Sequence, residues 1–369
     1  MLQHFLPSLE DLHIVFNLFN YITVRSAGAM ATSLVLTLLL GHRVITWLKG
    51  RDIVDVPGRN GQHDGSHNGA KANMGGLLIV GVATLSTLLW AELANAYTVI
   101  ALVVMLWMGS LGFLDDYLKV VRRTPKGLVE RYKWAGSIGL GLALGLFLVL
   151  RAPESAVGAT TTNLPVFDEW QLYFTAPAYL LWVTVVLNGA THSVNMTDGL
   201  DGLAPGLAAI ATGAFGVFAY VIGRVDTSAY LGLFYLPGAG ELAVFAAAIT
   251  GAALGFLWFN AQPAQVIMGD TGSLALGGAL GAMAVLLKAE LLLLAVGGVF
   301  AAEAASVIIQ RNYFKYTKRR YGEGRRVFRC APIHHHFQMA GWKNEQVVVR
   351  FWILGILCAM VGFATLKLR

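Results

Sequence analysis

Residues 172–222 read LYFTAPAYLLWVTVVLNGATHSVNMTDGLDGLAPGLAAIATGAFGVFAYVI. Two apolar runs, at about 172–188 and 203–222, flank a polar cluster in which Asn195, Asp198 and Asp201 recur every third residue. A helical turn there would set all three on one face. Two carboxylates so close repel each other unless a cation, a donor-rich ligand or water stands between them. Ionisable groups beside membrane-crossing segments are costly, which makes this cluster a candidate functional site. The alternative is a solvated loop whose Asp and Asn cap neighbouring helices.

The rest of the chain has the same apolar character. Of 369 residues, 56% are hydrophobic and 13% charged, where a soluble domain has about 25% charged. The mean hydropathy is +0.61. Apolar runs long enough to cross a bilayer recur along the chain. The expected fold is therefore all-α, a single polytopic integral membrane domain over 1–369. Ten transmembrane helices are expected, at about 22–48, 74–93, 97–114, 134–150, 172–188, 203–222, 242–258, 274–288, 291–309 and 347–366. Residues 1–20 hold no Lys or Arg, so they lack a signal-peptide n-region. They read as an interfacial amphipathic helix.

Charge sets the orientation. The net charge of +6 does not point to nucleic acid, because the basic residues gather in alternate loops. Those at 49–73, 115–133 and 310–346 are basic, the last with nine Lys and Arg, whereas Arg151, Arg224 and Lys288 stand one to a loop on the other side. The basic loops are expected to be cytoplasmic and both termini periplasmic. Keeping 310–346 inside requires a break at Lys288-Ala289-Glu290 in the run 274–309. Cytoplasmic loops at about 49–73, 115–133, 189–202, 259–273 and 310–346 are then expected to form one active site.

Several polar motifs fall on that side. Asp115 and Asp116 close the third span. Adjacent helical residues point about 100° apart, so the two serve different partners. An ion pair with Lys119 at i,i+4 is the plain reading; holding Mg2+ or receiving a proton is the functional one. Asn260 ends the seventh span, and Asp270 precedes the eighth between Gly269 and Gly272. Asp270 reads as an N-cap, or as a ligand to a hard cation beside phosphate oxygens. His334, His335 and His336 lie in the largest basic loop. Three consecutive histidines cannot all face one metal, and no zinc spacing accompanies them. They suit a large anionic substrate, or a basic loop meeting anionic lipid headgroups. Cys330 and Cys358 form no disulfide framework. No Walker-type loop is present, which disfavours a P-loop NTPase.

The chain resembles the polyprenyl-phosphate N-acetylhexosamine-1-phosphate transferases. The resemblance is carried by Asp115-Asp116-Tyr117-Leu118-Lys119, Asn195 to Leu203, Phe256 to Asn260, Gly269-Asp270-Thr271-Gly272-Ser273 and Ala331 to His336. It runs from the first span to Arg369, and the Pro-Ile-His-His-His segment is similar to the muramoyl-pentapeptide branch. It implies a bacterial inner-membrane enzyme with its active site facing the cytoplasm. There the phosphate of undecaprenyl phosphate attacks the β-phosphorus of UDP-N-acetylmuramoyl-pentapeptide with Mg2+, releasing UMP. By position, it assigns Asp270 to the metal. It sets Asp115 and Asp116 beside the lipid phosphate, Asn195, Asp198, Asp201 and Asn260 at the nucleotide–sugar pocket, and the three histidines at the sugar–peptide part. Phosphoryl transfer asks mainly for positioning and charge neutralisation, which such a set supplies.

One segment departs from the family pattern Lys-X-Gly-Thr-Pro-Thr-Met-Gly-Gly. Aligned on Met74-Gly75-Gly76, the family lysine falls on Asn68. Lys71, three residues later, is taken to supply that charge, unless it is only a flanking positive-inside lysine. Two alternatives to the muramoyl-pentapeptide transfer are a UDP-N-acetylglucosamine transferase of the same family and an ion-coupled transporter. Transporters place their carboxylates near the midplane in repeated halves, whereas here they gather at one face and no internal repeat is detected. Membrane lipids are expected partners, nucleic acid is not, and the oligomeric state is open, with a homodimer one candidate.

Overall fold

A backbone crossing hydrocarbon has to satisfy its N–H and C=O groups within its own segment, so the apolar runs coil into helices. The computed structural model describes residues 2, 13–55, 71–124, 127–151, 158–163, 171–231 and 233–366. A 3-10 helix over Ile14–Asn20 leads into α1 (Ile22–Gly50). There follow β1 (Val54–Asp55), β2 (Lys71–Ala72), α2 (Gly76–Trp90), α3 (Ala96–Val120) and α4 (Glu130–Arg151). A second strand pair, β3 (Thr161–Asn163) and β4 (Gln171–Tyr173), precedes α5 (Ala176–Thr197), α6 (Leu203–Ile222) and the short α7 (Val225–Tyr230). The chain continues through α8 (Glu241–Asn260), α9 (Gly269–Leu286), α10 (Glu290–Val296), α11 (Gly298–Tyr321), α12 (Ile333–Met339) and α13 (Asn344–Ala364).

The described residues are mostly helical, with two small antiparallel strand pairs among them that an all-α reading does not foresee. Among the described residues, α1, α3, α4, α6, α8 and α13 are long and apolar enough to cross a membrane. The pair α10 and α11, bent by 90°, makes a seventh if it counts as one span. The other expected spans are shorter or more polar. α2 has 15 residues, and α5 and α9 carry Asn195 and Asp270 with further polar residues at one end. The chain does break at Lys288–Ala289, between α9 and α10.

The expected cytoplasmic loops are partly helical. α3 runs on through Asp115 and Asp116 to Val120, α5 through Asn195 to Thr197, and α11 to Tyr321. Helix–helix packing carries these turns past the apolar stretches that the sequence marks. Most of the expected interfacial segment lies outside the described residues, as do 56–70 with Asn68. The described end of that segment, Ile14–Asn20, winds as a 3-10 turn rather than an amphipathic α-helix.

α9 lies deep in the bundle, with Thr271 to Leu286 all buried. It packs against α3 on one side and α5 on the other, while α8 packs against α1, α2 and α6. Small residues allow these backbones to approach closely. At Gly112, an added Cβ would sit 2.1 Å from the Asp270 carbonyl oxygen; at Gly76, it would sit 2.1 Å from the Gly272 nitrogen. Both contacts press the first turn of α9 against its neighbours. The strand β2 fixes the approach from the other side: Ala72 N–H donates to the Gln265 carbonyl at 3.1 Å, and Ile267 N–H donates to the Ala72 carbonyl at 2.7 Å.

Gly112→Ala is expected to force α3 and α9 apart, destabilising the protein by about 1–3 kcal/mol as overpacking does. Thermal unfolding in detergent should show a lowered midpoint; an unchanged midpoint would mean that the close approach does not hold the helices.

Candidate active site

The first turn of α9 leaves backbone N–H groups without intrahelical partners. They are met by a side chain from another helix. Asp116, near the end of α3, accepts from Asp270 N–H at 3.1 Å on Oδ1. Its Oδ2 accepts from Thr271 N–H at 2.8 Å and from the Thr271 hydroxyl at 2.6 Å. Asp270 is therefore not the cap of its own helix, as one reading of the sequence had it; the cap is supplied in space by Asp116. Gly269, at φ +75°, turns the chain into α9, and a Cβ there would lie 2.7 Å from Asp116 Oδ2.

With its N–H engaged by Asp116, the Asp270 carboxylate is left to side chains of three other helices. Its Oδ1 accepts from Asn195 Nδ2 at 2.9 Å. Its Oδ2 meets Lys133 Nζ at 2.5 Å and Lys119 Nζ at 3.3 Å. The same two lysines reach Asp115, Lys133 at 3.4 Å and Lys119 more closely as the i,i+4 pair. Asp115 Oδ1 also accepts from Leu128 N–H at 2.8 Å, tying down the loop after α3. The neighbouring carboxylates thus serve different partners, as their angular separation on a helix requires. Asp115, Asp116 and Asp270 nevertheless offer oxygens that lie within 4.8 Å of one another. Carboxylate oxygens are the donors a hard divalent cation takes.

The Asn195–Asp201 cluster does not form a continuous helical face. α5 ends at Thr197, and Gly202, at φ +81°, redirects the chain into α6. Asn195 reaches into the carboxylate centre and donates to Ser273 Oγ at 2.9 Å. Asp201 pairs with Lys71 Nζ at 2.7 Å, which brings the described end of the departing segment to this turn. Asp198 is partly buried. Burial first, then the charges of Asp270, Asp116 and Asp201, pushes its carboxyl well above the usual carboxylate range.

The remaining expected residues support this turn. Asn260 is buried, its Oδ1 accepting from Gly202 N–H at 2.8 Å and its Nδ2 donating to the Val266 carbonyl at 2.7 Å. Both ends of the amide hold backbone, so Asn260 shapes the site from beneath. The three histidines part company. His334 is buried against Glu303 at 3.1 Å, and His335 bonds Gln338 at 2.6 Å. His336 Nδ1 accepts from Arg329 N–H at 3.1 Å. Burial, then the neighbouring His334, lowers the His335 imidazole below its ordinary range.

Lys119 and Lys133 belong to the centre, although in the sequence they are two of six basic residues in one loop. Lys119 carries a local signal, its i,i+4 spacing from Asp115. Lys133 carries none, because only the packing of α4 beside α3 brings it in. Thr271 and Ser273 were legible only as part of the motif around Asp270.

Thr271→Val removes one donor to Asp116 and is expected to cost about 1 kcal/mol. Asp116→Ala strips the cap and leaves buried N–H groups unpaired, costing about 1–3 kcal/mol. Unfolding midpoints that rank wild type, Thr271→Val, Asp116→Ala in falling order would bear this out, and the reverse order of the two variants would contradict it.

Residues 97–288 match the family described as Glycosyl transferase family 4, a range that contains every carboxylate of the centre. A phospho-N-acetylmuramoyl-pentapeptide-transferase of Gemmatimonas aurantiaca is 53% identical over 98% of this chain and 98% of its own. Proteins of the same name from Desulfatibacillum aliphaticivorans and Dinoroseobacter shibae are each 45% identical, over 100% and 99% of both chains respectively. At that identity over the full length, the chain belongs to the phospho-N-acetylmuramoyl-pentapeptide-transferases of glycosyl transferase family 4.

Proposed function

We propose that this chain transfers phospho-N-acetylmuramoyl-pentapeptide from UDP-N-acetylmuramoyl-pentapeptide to undecaprenyl phosphate, giving lipid I and UMP, and that the transfer depends on Mg2+. One observation carries the reading: Asp115, Asp116 and Asp270 converge within 4.8 Å from two separate helices, with Lys119 and Lys133 on them. The full-length relatives named for this transfer support the choice of substrate over UDP-N-acetylglucosamine. In the reaction an oxygen of the lipid phosphate forms a bond to the β-phosphorus of the nucleotide, and the bond from that phosphorus to UMP breaks.

The all-oxygen donor set fits Mg2+. Asp270 is the ligand we assign, because its carboxylate faces the centre while Asp116 is engaged by the α9 backbone. Bound there, the cation supplies charge neutralisation to the phosphates. Lys119 and Lys133 add fixed positive charge on the same side and hold the phosphate oxygens in place. Asp115 is the carboxylate we assign to receive a proton from the lipid phosphate, because its Oδ2 meets lysine side chains, whereas both oxygens of Asp116 accept α9 backbone N–H groups. Asn195, Asp198, Asp201 and Lys71 line the nucleotide–sugar side, Asn260 holds their turn, and His335 and His336 stand toward the sugar–peptide part.

The same proposal sets the enzyme in the bacterial inner membrane with ten crossings, both termini periplasmic and this centre facing the cytoplasm. The clustering of Lys and Arg in the loops that carry the centre supports it. Lipid covers the exposed apolar helix faces.

A UMP-release assay in detergent tests the reaction. Release should require both polyprenyl phosphate and UDP-N-acetylmuramoyl-pentapeptide, stop with a chelator and return with Mg2+; equal turnover of UDP-N-acetylglucosamine would overturn the substrate assignment. Asp270→Asn keeps the shape of the side chain and loses the charge. It should lower kcat by at least about 100-fold with an unfolding midpoint near wild type, and near-normal turnover at millimolar Mg2+ would remove Asp270 from the site.

A further inference from the structure

Glu303 lies on α11, just beyond the 90° bend from α10. It and His334 are both fully buried, at 0% exposure. A carboxylate inside an apolar bundle is costly and needs a partner. Glu303 Oε2 has one: His334 Nδ1 at 3.1 Å, with the His334 backbone N–H also directed at it at 3.5 Å. The second oxygen of Glu303 and the second ring nitrogen of His334 have no hydrogen-bond partner among the described residues.

The free ring nitrogen is not idle space. A Cβ added to Gly199 would lie 2.3 Å from His334 Nε2, so the imidazole packs directly on the Asp198–Gly199 backbone. That turn is gripped from three other elements: Asn260 holds Gly202 N–H, Trp352 Nε1 donates to the Gly202 carbonyl at 3.2 Å, and Lys71 holds Asp201. His334 is the only contact of this set beneath Gly199, beside Asp198. A carboxylate on one ring nitrogen sets the tautomer and orientation of the other.

We infer that Glu303 is a positioning residue for the transfer: by fixing the His334 imidazole under Gly199, it holds the Asp198–Gly199 turn at the nucleotide–sugar side of the site. His334 then acts as a support under the turn rather than as a substrate contact, which separates it from His335 and His336. The inference rests on the transferase reading of the same site. It requires that Gly199 stay a glycine, because any larger residue displaces the ring that Glu303 orients.

Steady-state kinetics on the full-length protein in detergent test it, with UDP-N-acetylmuramoyl-pentapeptide and polyprenyl phosphate varied in turn. Glu303→Leu should raise KM for the nucleotide substrate about tenfold, with KM for the lipid phosphate unchanged. Glu303→Gln keeps an acceptor for Nδ1–H and should stay within about threefold of wild type. Gly199→Ala, which perturbs the contact from the other side, should raise the same KM. Combined with Glu303→Leu it should add little, because the two act through one contact. A Gln variant as impaired as the Leu variant, a fall in kcat with both KM values unmoved, or effects that multiply in the double variant would each overturn the positioning role and leave the transferase reading standing. Failure of the wild-type protein to release UMP would overturn that reading, and this inference with it.

Discussion

The capping of α9 by Asp116 is the interaction on which the site depends. A helix start buried in the bundle presents N–H groups that water cannot reach, and each left unpaired costs about 1–3 kcal/mol. Asp116 meets two of them and the Thr271 hydroxyl at once. The bond also has a geometric consequence. It locks the end of α3 to the start of α9, and so sets Asp115 and Asp270, each next in sequence to a bonded group, on the same side of the junction. Gly112 and Gly269 leave room for that approach.

Charge then determines what the junction can do. Three carboxylates face two ammonium groups, which leaves one negative charge over in a partly buried setting. Such an arrangement favours gaining a cation, and, once a cation is present, gaining phosphate oxygens against it and the lysines. Each partner on this face answers to the other. Lys119 and Lys133 offset the charge of Asp270 and Asp115, the two carboxylates they reach. Around this centre the Asp198–Gly202 turn is held by Asn260, Trp352, Lys71 and the buried His334.

Much of this was legible in the residue pattern, and the part that was not has a physical reason. Hydrophobic runs gave helices because lipid leaves the backbone few other options. Asp115, Asp116, Asn195 and Asp270 stood out as polar groups at the ends of apolar runs, and they do meet. Their division of labour was not readable. Whether Asp116 or Asp270 caps α9 depends on how α3 and α9 cross, and nothing local in either segment records that crossing. Lys133 is one basic residue among several until α4 packs beside α3. The family resemblance places Asn260 and His334 at the substrate; in the structure both are buried, Asn260 bonded to backbone and His334 to Glu303. The helices containing Asn195 and Asp270 are less apolar than a simple crossing helix because these and further polar residues sit at one end of each.

The central proposal is that this carboxylate centre takes up one divalent cation through Asp270. Electron paramagnetic resonance of Mn2+, used as a spectroscopic substitute for Mg2+, measures this without turnover. The account predicts one Mn2+ bound per wild-type chain, displaced by excess Mg2+, and binding lost in Asp270→Asn. Mn2+ bound equally by wild type and that variant, or none bound by either, would contradict it.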